Sequence, residues 1–286
     1  MNRPLFIIYA VTILAIAYFL VTGYGYYKTD YADRPHHEQY RELRPAGGRG
    51  LVFGYIGSAM MILMLSYSIR KRSKLLGKKI SLRSWLKLHI YLGVCGPLFI
   101  VLHSSFKVQG LIAVAFWSMV AVAISGYLGR YLYLQIPRNQ AGDELSLSEI
   151  DKQMLQSTLT LQEKFNLAPE QLAQIDALAK RDVATGRSFI GLLFSTLISD
   201  LTRPFTARKL AGELKRTVRV ADKTAKSIVV LALERAALAR RIEMLDRTRE
   251  VFHYWHVIHK PFAIIMYLIM GIHIGVAFWT GFAGLS

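Results

Sequence analysis

The chain has 286 residues, 53% of them hydrophobic, a formal net charge of +17 and a single cysteine, Cys95. That composition is too apolar for an ordinary soluble domain and points to several membrane spans; one cysteine excludes an intrachain disulfide and a cysteine-ligated iron–sulfur cluster, and without a C-x-x-C-H there is no covalent c-type haem. Lys and Arg collect on cytoplasmic loops and are drawn to anionic lipid, so the positive charge does not imply nucleic acid, and no nucleic-acid partner is expected.

Residues 4–21 carry no charge and follow the single basic residue Arg3. The run is long for a signal-peptide core and no small-residue cleavage site follows, so it reads as a first, retained span. Residues 24–50 mix acids, bases and tyrosines, which predicts a solvated loop with an interfacial aromatic belt. His36 and His37, adjacent and beside Pro35, read as surface residues of that loop. Residues 51–69 form the second span. Arg70, Lys71, Arg72, Lys74, Lys78, Lys79 and Arg83 follow with no acid among them, and a short loop of that kind belongs in the cytoplasm. The N-terminus is then inside and the 24–50 loop outside. The third span, 85–106, runs outward to a brief F-K-V-Q-G turn, and the fourth, 111–134, returns to Pro137.

A polar stretch of about a hundred residues follows and reads as a cytoplasmic helical insert. Helices are predicted over 146–165, from an Ala168–Pro169 start, and as one long periodic segment over 207–250. Residues 189–201 are apolar but too short to cross, and form either a buried core helix or one lying in the membrane interface. The fifth span, 251–282, runs outward, parallel to the third. The expected fold is therefore all-α, a membrane bundle of five transmembrane helices with a cytoplasmic insert: spans one to four in 1–136, the insert in 137–250 and the last span in 251–286.

The chemistry lies in the third and fifth spans. His89 and His103 are fourteen residues apart, and so are His259 and His273. Fourteen steps of 100° return to within about 40° of the starting direction, and place the two imidazoles of each helix about 21 Å apart along its axis. With both helices running outward, His89 shares the cytoplasmic level with His259, and His103 shares the outer level with His273. Intramembrane ionisable groups are costly and usually functional, and two imidazole pairs at two depths provide the axial ligands for two haems stacked across the bilayer. Arg130, on the fourth span near the depth of His89, is placed to neutralise haem propionates, with snorkelling to lipid headgroups as the rival reading. Gly93, Gly96, Gly126, Gly129 and Gly271 either admit a porphyrin face or serve close helix packing. His256, one turn before His259, reads as an interfacial residue beside Tyr254 and Trp255, with binding of a propionate or quinone as the alternative.

These residues resemble a known family. The spaced histidine pairs on two spans, the inside N-terminus and the basic connection R-K-R-S-K-L-L-G-K-K-I-S-L-R-S-W are similar to the membrane domain of ferric reductases and NADPH oxidases. The histidine-bearing helices also resemble those of cytochrome b in quinol-oxidising bc complexes. The resemblance implies two b-type haems, ligated by His89 with His259 and by His103 with His273, and electron flow between the membrane faces. The flavin and nicotinamide domain of the reductases is not among these residues, nor is the Pro-Glu-Trp-Tyr motif of bc complexes, so the resemblance covers the wire and assigns neither end.

The function expected is transmembrane electron transfer from a cytoplasmic redox protein docked at the insert to an outer-side acceptor, in a bacterial inner membrane with the C-terminus outside. No G-x-G-x-x-G or P-loop provides a nucleotide site of the chain's own. A quinone-linked membrane oxidoreductase subunit is the alternative, and a haem-free structural or transport protein the second.

Overall fold

The computed structural model describes residues 3–73, 80–137, 145–165, 170, 189–218, 222–282 and 284. Among these, all regular structure is helical. Lys74, Lys78 and Lys79 of the basic loop and the Ala168–Pro169 helix start lie outside the described residues.

Five helices are long and apolar enough to cross a bilayer, which marks the chain as a membrane protein. They are α1 (Arg3–Thr22), α4 (Gly48–Arg72), α5 (Leu82–His103), α6 (Gly110–Gln135) and α10 (Leu245–Trp279). Large apolar side chains stand exposed along them, among them Phe6, Val11 and Leu14 of α1, Trp117 and Ile124 of α6, and Ile264 and Leu268 of α10. A helix apolar on all sides, with its backbone bonds satisfied internally, suits hydrocarbon as its solvent. The third span is shorter than its apolar run suggests. α5 ends at His103, and Ser105 and Phe106 take positive φ values of 50° and 61°.

The chain divides into two compact units: residues 1–130 with 254–286, and residues 131–253. In the first, α4 and α5 pack face to face because glycines remove Cβ atoms at the contact. A Cβ on Gly57 would fall 2.7 Å from the Ile100 side chain, and one on Gly96 would fall 3.2 Å from Met61. A second apolar cluster joins Met61, Met119 and Met266 from α4, α6 and α10, where the Tyr267 hydroxyl donates to the Met61 carbonyl at 2.6 Å.

Residues 23–47 are folded rather than merely solvated. They form α2 (Tyr24–Lys28), a 3-10 turn at Arg34–His36 and α3 (Tyr40–Leu43), with Tyr26 and Leu43 in the core beside Phe53, Phe99 and Leu102. The organiser is Arg34, only 6% exposed. Its guanidinium donates to the carbonyls of Thr29 (2.9 Å), Ser105 (2.6 Å) and Tyr27 (2.8 Å), and lies over the rings of Tyr31 and Tyr26. Burial pushes the Tyr27 phenol up to about 12, so no phenolate forms there near neutral pH, and the charge is balanced by carbonyl dipoles and ring faces. Arg34, with the Ser105 hydroxyl bonded to the Leu43 carbonyl and Tyr31 bonded to the Phe106 carbonyl, holds the left-handed turn after His103. Arg34→Ala leaves buried carbonyls without donors and is expected to cost roughly 3 kcal/mol, read as a lowered Tm in detergent; Arg34→Lys recovers little, since an ammonium cannot make the same fork.

The second unit holds α7 (Leu147–Leu159), α8 (Phe189–Val218) and α9 (Asp222–Glu243). A capping box opens α7: the Ser146 hydroxyl accepts from the Glu149 N–H, and the Glu149 carboxylate accepts from the Ser146 N–H. The segment expected as one helix over 207–250 is divided among α8, α9 and the start of α10, with Met244 in a turn. Leu210 and Ala211 of α8 pack against Ala225, Ile228, Val229 and Ala232 of α9, which requires the chain to turn back on itself.

Candidate functional site

All four candidate histidines lie in the first unit and are half-buried. His103 is the last residue of α5, and its ring centre stands 6.3 Å from that of His273 on α10, with the planes 57° apart. His89 and His259 lie within electrostatic reach of one another one level away. α5 and α10 therefore run parallel, with the His103 ring beside that of His273 and His89 on the same side as His259.

The Nδ1 atoms of three of these histidines are held in place. His103 Nδ1 donates to the Gly50 carbonyl at 2.8 Å, and His89 Nδ1 donates to the Met64 carbonyl at 3.1 Å. Gly50 and Met64 are themselves fourteen residues apart on the antiparallel α4, so one helix presents a carbonyl to each level. His259 Nδ1 lies 2.7 Å from Ser125 Oγ of α6. Ser125 Oγ also reaches the Val122 carbonyl at 3.0 Å. A histidine that donates from Nδ1 is the tautomer with its lone pair on Nε2, the form that ligates a metal, and such outer bonds are the usual means of orienting a metal-bound imidazole.

Two metal–nitrogen bonds of about 2.0–2.1 Å, plus about 1.1 Å from each nitrogen to its ring centre, set two axial imidazoles about 6.3 Å apart. The His103–His273 separation matches that requirement. His103 and His273 are thus spaced as two imidazoles that share one metal ion, such as the iron of a haem. Among the described residues no group of three or more His, Cys, Asp or Glu side chains gathers at one point.

Other side chains shape each level. Gly54 of α4 backs onto His103, where a Cβ would fall 2.7 Å from Nδ1. Trp255 stacks beside His259, ring centres 4.8 Å apart, and its indole N–H donates to the Ser125 carbonyl at 2.6 Å. Gly129 makes room for that indole. The ring centre of Tyr67 lies 5.1 Å from that of His89, and the His256 ring meets Trp255 edge-on. Arg130 is half-buried on α6, about 7.5 Å along the axis beyond Ser125.

The glycines divide by role. Gly93 and Gly96 face Met64 and Met61 of α4 and serve helix packing, Gly126 lies 3.7 Å from the His259 ring, and Gly271 faces open space. His37 accepts from the Gln39 N–H and touches Tyr26, within the folded segment 23–47. Reading the sequence missed Ser125, Trp255, Gly54 and the α4 carbonyls. Only the small-residue strip Gly50-x3-Gly54-x2-Gly57 carries a signal in advance, that of close helix approach. No protein-family model, no curated protein and no solved structure matches this chain.

Proposed function

We propose that this chain is a di-haem b-type cytochrome that carries electrons across a bacterial inner membrane, with one haem between His89 and His259 and the other between His103 and His273. The observation that carries the reading is the His103–His273 separation of 6.3 Å with His103 Nδ1 already bonded to a carbonyl. Haem bound there supplies a one-electron iron couple at each level. The chain's own part is to present Nε2 lone pairs, to fix ring orientation through Gly50, Met64 and Ser125, and to surround both levels with apolar helix. Arg130 offers a guanidinium to propionates at the level of His89 and His259.

In this reading the basic residues after α4 lie in the cytoplasm with the N-terminus, the C-terminus lies outside, and residues 137–250 form the cytoplasmic dock for a redox partner. A chain in which a flexible linker replaces residues 141–250 is expected to retain both haems and their reduction by dithionite, while losing reduction by the cytoplasmic donor. Low-spin ferric signals from two bis-imidazole species in the oxidised protein test the ligation directly. Full haem content with undiminished reduction by the donor would remove the docking role and favour membrane quinone as the electron source.

A further inference from the structure

α8 carries two apolar faces where a helix of a small soluble unit needs one. Leu210 and Ala211 turn into the core shared with α9, and Thr196 is buried on the same side. On the other side Phe194, Ile198, Leu201 and Phe205 are exposed at 63%, 46%, 68% and 70%. Steps of four, three and four residues keep them within an arc of about 60°, a continuous stripe about 16 Å long. Exposed Arg208 and Lys209 follow at its C-terminal end, about 100° apart and on either side of the stripe. Arg203 points the opposite way, 3.6 Å from Glu234 of α9. Asp200, the one acid between residues 189 and 212, lies off the stripe, where it accepts from Gln135 at 3.4 Å.

We propose that this face of α8 lies in the headgroup and acyl boundary of a bilayer, with Phe194, Ile198, Leu201 and Phe205 among the chains and Arg208 and Lys209 on anionic phosphates. An apolar stripe edged by basic residues is what interfacial helices present to anionic lipid. The area favours lipid over a protein partner: the four side chains expose roughly 450 Å², short of the about 800 Å² per partner that a stable protein interface buries. Supply favours it too. The five spans of the same chain keep a lipid surface at high effective concentration, whereas a second protein must be recruited.

The test uses the full chain in nanodiscs containing phosphatidylglycerol, with a bimane label on Leu201→Cys and, as control, on Glu234→Cys; native Cys95 is buried. A nitroxide high on the lipid acyl chain is expected to quench the Leu201 label at least about threefold more than the control label, with aqueous iodide showing the reverse order. Arg208→Glu with Lys209→Glu, or purely zwitterionic discs, should reduce the lipid quenching. Unchanged quenching in both would overturn the phosphate contacts. A Leu201 label reached by iodide as freely as the control, or shielded from both quenchers as under a protein partner, would overturn the proposal.

Discussion

His103→Ala or His273→Ala is expected to halve the haem content, from about two to about one per chain, while the haem at the other level keeps its low-spin spectrum. Each axial bond belongs to one level, and the levels are separated by about 21 Å of helix, with the Met61, Met119 and Met266 cluster among the side chains of the same helices. His89→Ala and His259→Ala should produce the complementary loss. Because the remaining pair stays on the same two helices, the bundle still folds, and the single-haem proteins can be purified and compared. Two intact haems after any of these changes would reassign the ligand concerned.

Gly54→Leu is expected to reach the same end without touching a ligand. Its Cβ would meet the His103 ring 2.7 Å from Nδ1, so the imidazole must leave the Gly50 carbonyl and turn away from His273. The haem proposed between His103 and His273 should be lost, with about 1–3 kcal/mol of stability from overpacking between α4 and α5. Gly275→Leu is the control, since it lies about 160° round α10 from His273 and nothing is within 4 Å of its Cβ position. Retention of both haems in Gly54→Leu would mean that His103 is not held from behind by α4.

The five spans were legible because hydrocarbon demands long apolar runs, and such runs are hard to mistake. The meeting of His103 with His273 was legible for a related reason: a fourteen-residue spacing returns two side chains to one side of a helix at two depths. The parts that were not legible depend on backbone. The carbonyls of Gly50 and Met64 have no residue signature, since any residue carries a carbonyl. The end of α5 at His103 escaped notice because neither Ser105 nor Phe106 favours positive φ, which is held here from outside by Arg34 and Tyr31. The 24–50 loop looked solvated because its charges suggested water, yet Arg34 finds carbonyls and aromatic rings instead. The break between α8 and α9 was hidden by the Ala and Leu pattern, which continues with helical period on both sides of it.

A reduced-minus-oxidised difference spectrum of the purified chain, with pyridine-haemochrome stoichiometry, tests the central claim most directly. The expected result is b-type haem at about two per chain, low-spin in both oxidation states, as bis-imidazole ligation requires. A chain that purifies folded, with α-helical circular dichroism and no haem, would contradict it, and would leave the paired histidines as hydrogen-bonded structural residues of a membrane bundle.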